Sequence, residues 1–235
     1  MAVSVHLTDR DYHLLNLLYE HSLMSLGQIS RYVFTGRDHS TVLNRIRLLE
    51  DGGYLKRHHL NRVRTFCDEK SVGVVLQITP RGVREIARLH FQNVFDEKIY
   101  DIKSSQLEHD LLLVDVTERL KNVHEQMVFV DGRRFVRSKP EIFQVPDKVM
   151  VDGSRSKATA IELELTVKSE KRYRQIITNY RIGRGFDRVL FITAHQSIAQ
   201  KIKSEIVGFK TTSTQNFETG IFALQNMQEL LRPQT

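Results

Sequence analysis

From Ala158 to Val167 the chain reads ATAIELELTV. Strict alternation of this kind predicts a β-strand with Ile161, Leu163 and Leu165 on one face and Glu162, Glu164 and Thr166 on the other. The apolar face needs a core to cover it. The acidic face carries two carboxylates side by side, whose repulsion is relieved only by a cation or by water. Pro146-Asp147 stands fifteen positions before Glu162 and leads directly into KVMV, a second strand pattern. Three acids, Asp147, Glu162 and Glu164, are thus expected on neighbouring extended segments. Oxygen ligands in that arrangement suit a hard divalent cation, Mg2+ or Mn2+.

A chain of 235 residues has room for one large domain or two small ones with real cores. The hydrophobic and charged fractions, 40% and 27%, are those of a globular protein rather than a disordered or fibrous one. No apolar run approaches the roughly eighteen residues that span a bilayer, and the first residues show no secretory pattern. The single cysteine, Cys67, excludes an internal disulfide, and no Cys/His spacing suits structural zinc. A cytoplasmic protein is the expectation. The formal net charge of +7 favours a polyanionic partner.

That charge is concentrated. Between Arg37 and Arg64 there are seven Lys or Arg against three acids, a local excess of four. The same region has helical punctuation. Thr8 and Asp11 form a capping-box pattern before an apolar run at Leu14, Leu15, Leu17 and Leu18. Ser25 caps a second short helix. A third is expected over residues 40–51, with Val42, Leu43, Ile46 and Leu49 inward and Asn44, Arg45 and Arg47 outward, stopped by Gly52-Gly53. Extended, basic sequence follows (Lys56, Arg57, His58, His59, Arg62, Arg64), then a strand over residues 72–79. Pro80 opens another helix.

Three helices, a basic hairpin and a closing helix make a winged helix-turn-helix over residues 1–100. Its third helix is expected in the major groove and its wing on the backbone. The DNA-contacting set there is Arg37, Asn44, Arg45, Arg47, Lys56, Arg57, Arg62 and Arg64, with His58 and His59 on the wing near phosphate. A helical domain that contacts protein is the alternative reading.

The remainder, 101–235, opens with a helix from Ser104 or Ser105. A strand over residues 127–130 follows, and then Asp131-Gly132, a hairpin signal whose partner strand would be residues 134–137. KVMV, a turn at Asp152-Gly153 and ATAIELELTV come next. Ser169 caps a long basic helix containing Lys171, Arg172 and Arg174, placed to hold phosphates. A buried strand over residues 189–192, a helix over 197–207, a short strand and a last helix complete the order. The class is α/β (α+β), with an αβββαβ core.

That order, with Pro146-Asp147 and Glu162-Leu163-Glu164, resembles the restriction-endonuclease-like PD-(D/E)xK nucleases, with Glu164 where the motif usually has lysine. ITPRGVREI, VPDKVMVDG and IELELTVKSEKRYRQII further resemble the replication-relaxation family, the MobC-type relaxases of mobilisable plasmids, over nearly the whole chain. The resemblance implies metal-dependent nicking of double-stranded DNA at a plasmid transfer origin, recognition of that origin by the winged helix, and work beside a coupling protein or another relaxosome component. Asp147 and Glu162 are then primary metal ligands, and Glu164 is a third ligand or orients the attacking water. Lys168 supplies the charge of the absent motif lysine. Tyr173, Gln175 and Tyr180 approach the site from the basic helix, and His109-Asp110 is a further candidate lining pair. No His-x-His is present, which argues against the common tyrosine relaxases and for direct attack by water. Two other readings stand beside this one: a non-catalytic DNA-binding protein with an inactive nuclease fold, and another sequence-specific endonuclease.

Overall fold

The computed structural model describes residues 5–63, 72–89, 98–137, 139, 141–153, 157–183, 185–210 and 222–231. The chain divides into two compact units, Met1–Asp115 and Val116–Thr235, in a mixed α/β fold. Among the described residues no helix is long and apolar enough to cross a membrane.

The first unit begins with α1, Asp9–His21. The Asp11 carboxylate accepts from the Thr8 backbone N–H at 2.7 Å and from its hydroxyl at 2.6 Å, which fixes the helix start. β1, Met24–Ser25, leads into α2, Leu26–Tyr32. Here Ser25 and Gln28 cap each other reciprocally, at 3.0 and 3.1 Å. Helix α3 runs His39–Asp51 and starts one residue earlier than Ser40, because Asp38 is its cap. The Asp38 carboxylate takes the Thr41 N–H and the hydroxyls of Ser40 and Thr41. Gly53, at φ +72°, then turns the chain where an L side chain would be strained.

Two antiparallel strands follow, β2 (Leu55–Val63) and β3 (Val72–Ile78), in a sheet ordered β1-β3-β2. α4, Pro80–Leu89, carries proline at its first position. Leu14, Leu18, Ile29, Val42, Ile46, Leu49, Leu76 and Ile86 form the buried core among these elements. A 3-10 turn over Ser104–Gln106 precedes α5, Leu107–Val123. The opening part of α5 belongs to this unit. Gln28 Nε2 donates to the Leu111 carbonyl at 2.6 Å, while Asp115 accepts from Arg31 at 3.0 Å and from Tyr32 at 2.7 Å.

The second unit is built on a five-stranded sheet ordered β4-β5-β6-β7-β8. Its strands are β4 (Val128–Asp131), β5 (Lys148–Val151), β6 (Ala158–Glu164), β7 (Arg188–Thr193) and β8 (Phe222–Asn226). The first three are antiparallel and the last three parallel. A parallel pair needs a crossover, and helices supply it: α7 (Glu170–Ile182) joins β6 to β7, and α8 (Gln196–Lys210) joins β7 to β8. A short helix, α9 (Met227–Leu231), closes the chain.

Two expectations are corrected. Asp131-Gly132 does not turn a hairpin, and no strand forms over 134–137. Residues Gly132–Val136 are a short helix, α6, because the Asp131 carboxylate accepts from the backbone N–H groups of Arg133 and Arg134. The strand predicted over 158–167 stops at Glu164. Pairing with β7 ends at Glu164 opposite Thr193, and Thr166 and Val167 are exposed. The chain then swings to Ser169, whose hydroxyl accepts the Arg172 N–H and starts α7.

Candidate functional site

β6 is the middle strand of the second sheet, so both its faces are covered. Glu162 is 5% exposed and Glu164 1%, beside Ile161 and Leu163 at 0% and 2%. The acids therefore do not form a solvated face. Each is held by the protein itself. Glu162 Oε1 accepts from the Tyr180 hydroxyl at 2.5 Å and from Gln144 Nε2 at 3.1 Å. Gln144 Oε1 in turn accepts from Asn179 at 3.4 Å, and Asn179 Oδ1 from Gln175 at 2.7 Å. A polar chain thus runs along α7 and ends on Glu162. Glu164 Oε1 pairs with Lys168 Nζ at 2.5 Å. With the strand ended, Lys168 reaches Glu164 from the loop rather than from the strand face.

Asp147 lies immediately before β5. Its backbone N–H donates to the Ile161 carbonyl at 3.1 Å, and its Oδ2 accepts the Leu163 N–H at 2.7 Å. The side chain thereby satisfies a backbone donor at the end of the β5–β6 ladder. Its carboxylate also lies close enough to act on Glu162. Burial, then the charge of Asp147, push the Glu162 carboxyl up to about 8; the hydrogen bonds from Tyr180 and Gln144 oppose this, and Glu164 adds to it. Burial, followed by the charge and hydrogen bond of Glu162, drives the Tyr180 phenol far above its ordinary value. Burial raises the Tyr173 phenol too.

The structure thus brings Asp147, Glu162, Glu164 and Lys168 together electrostatically. It does not draw the oxygens of the three acids to within 4.8 Å of one another as a set. As donors they are the hard oxygen type that Mg2+ or Mn2+ takes. Sequence reasoning missed Gln144 and Asn179; the four-residue spacing of Gln175 and Asn179 on a helix beside Tyr180 was the available signal. It also missed Lys148, 1% exposed opposite Asp131. There, burial would raise the Asp131 carboxyl, but Lys148, Arg133 and Arg134 hold it below its usual range.

The basic residues fall into three groups. Arg37, Asn44, Arg47, Lys56, Lys171 and Arg172 are exposed. Arg57 is paired with Glu50 at 3.2 Å, and Arg174 with Glu205 at 2.7 Å. Arg45 does not face outward: its Nε donates to Asp11 at 2.8 Å, its Nη2 also bonds Asp11, and Nη2 reaches the His6 carbonyl at 2.8 Å. The reason is Asp11, a carboxylate 0% exposed that needs a cation. The Arg62 side chain and Arg64 lie outside the described residues.

His59 is exposed on β2 and His58 half-buried, with burial and then Lys56 lowering the His58 imidazole. His109 Nδ1 lies 3.2 Å from Asp110, in the first unit. No protein-family model matches the chain, and no curated protein matches it.

Proposed function

We propose that the chain is a metal-dependent endonuclease that nicks DNA at a specific site, of the relaxase kind that works at a plasmid transfer origin. In this reading the first unit is a winged helix-turn-helix and the second a restriction-endonuclease-like core. The observation that carries it is the gathering of Asp147, Glu162 and Glu164 about the end of a buried central strand, with Glu162 pushed up to about 8 by burial and by Asp147. Buried acids that repel one another are costly unless a cation offsets the charge. The order α1-β1-α2-α3-β2-β3 supports the winged helix, and three antiparallel strands followed by the α7 crossover support the nuclease core.

Asp147, Glu162 and Glu164 would hold the ion. When bound, it supplies Lewis acidity and lowers the pKa of a coordinated water. The chain's own groups do the rest. Tyr180 and Gln144 fix the Glu162 rotamer. Lys168 holds Glu164 and places a positive charge beside the phosphate. Lys171 and Arg172, exposed at the start of α7, engage the neighbouring backbone phosphates. Tyr173 and Tyr180 are buried phenols pushed above their ordinary values, unsuited to act as phenolate nucleophiles, which favours attack by water. Exposed Asn44 and Arg47 on α3 read the double-stranded origin, with a coupling protein or relaxosome component as further partner.

A second reading, a DNA-binding protein with a silent nuclease fold, is favoured by one observation. Every acid of the trio already has a protein partner: the Leu163 N–H, Tyr180 with Gln144, or Lys168. Supercoiled plasmid carrying or lacking the cognate origin, incubated with Mg2+, Mn2+ or chelator, separates the two. Metal-dependent, origin-dependent nicking is expected; a bound but intact plasmid under every condition supports the silent fold instead, and cutting of both strands another endonuclease.

A further inference from the structure

Residues 141–146 form an extended strap whose exposure alternates. Glu141, Phe143 and Val145 face solvent while Ile142, Gln144 and Pro146 turn inward. Both glycines at the end of α7 seat it. A Cβ on Gly185 would fall 2.4 Å from the Ile142 side chain, and one on Gly183 would meet the Glu141 carbonyl at 3.2 Å. The strap is therefore fixed in register, and Gln144 reaches Glu162 from its inner side at 3.1 Å. Its outer side is apolar where solvent should favour polar groups. Phe143 is 60% exposed and Val145 46%, and Ile182, next to Gly183, is 62% exposed. Single exposed apolar residues need no explanation, but an aromatic fixed within one residue of an acidic-site contact does.

We propose that the Phe143–Val145 ridge is a stacking platform for an unpaired nucleobase flanking the scissile phosphate, so that the strand being cut is bound at this site in single-stranded form. The inference rests on the reading given under Proposed function. A phosphate held at Asp147 and Glu162 brings its neighbouring bases to within a nucleotide's length of the strap. An aromatic ring accepts any base face, which suits a strand opened for nicking whatever its sequence there. Val145, two residues on, lies about 7 Å along the same side and extends the apolar contact.

The chain contains no tryptophan, so Phe143→Trp introduces a lone fluorophore at an exposed position. Full-length protein in chelator would be titrated with a labelled short single strand, the same strand with abasic sites, and the corresponding duplex, with label anisotropy and indole emission both recorded. The single strand is expected to quench the indole, and the abasic strand to bind with little quenching. Phe143→Ala should weaken single-strand binding about tenfold and leave duplex binding by α3 unchanged. Val145→Trp provides an independent reporter on the same ridge. Single-strand binding without quenching at either position would overturn the platform while leaving the nuclease reading intact. Emission that shifts with protein concentration alone would assign the ridge to a second copy of the chain. Failure to bind any of the three DNAs would overturn both readings.

Discussion

Asp11 is a carboxylate sealed inside the first unit, and the side chain that neutralises it is the arginine placed by sequence on the DNA face. Burial would raise its pKa, but Arg45 and Thr8 together hold it below the usual range. Arg45→Ala is therefore expected to cost about 2 kcal/mol of stability, because it strands a buried charge. Asn44→Ala and Arg47→Ala should leave the melting temperature alone and weaken origin binding about tenfold; parallel melts and mobility-shift titrations check the split. Glu162 behaves in the opposite sense. Its folded pKa of about 8 lies above the unfolded value near 4.5, so its contribution is fully present below about pH 4.5 and is lost as pH rises through 8. In chelator, the stability of the second unit should fall across that window. Glu162→Gln should flatten the fall and abolish nicking while DNA binding persists. A Glu162→Gln melt as pH-dependent as wild type would refute the buried-acid account.

Among the elements, α6 shows how one close approach governs a site. A Cβ at Gly132 would lie 1.7 Å from the Pro146 carbonyl, which immediately precedes Asp147. Gly132→Ala must push the Pro146-Asp147 segment aside, so nicking should drop at least a hundredfold with α3-mediated DNA binding unchanged; comparing plasmid nicking with a binding titration tests this. Sequence alone made most elements legible, because caps such as Thr8, Ser25 and Ser169 and the alternation of residues 158–164 are local signals. α6 was not, since Asp-Gly serves a hairpin turn and a helix start equally well and the choice lay with the Pro146 backbone. The end of β6 was hidden for a related reason. Leu165 and Thr166 continue the alternation, but β7 pairing has already stopped. Of the candidate site, the three acids and Lys168 were legible as residues. Their partners were not, because Gln144 and Tyr180 meet Glu162 across 18 positions of sequence in either direction.

At the scale of the molecule, the first unit runs through Asp115 and takes its last buried contacts from α5. A fragment ending at residue 100 would leave Gln28 and Tyr32 without the Leu111 and Asp115 partners they bond, and would uncover Leu23 and Val75. It should melt well below a fragment ending at residue 123 and aggregate on warming, which calorimetry of the two would show. Binding by the intact chain should weaken steeply with salt, given its net charge of +7, and Arg47→Ala should lower the salt slope by about one. The hydrogen bonds that already satisfy Asp147 and Glu162 have an evolutionary corollary. Neither acid depends on an ion for its place, so descendants that abandon cleavage can keep both as architecture. Decay in such lineages should surface first at Lys168 and Glu164, leaving pseudoenzymes that still carry the Pro-Asp signature.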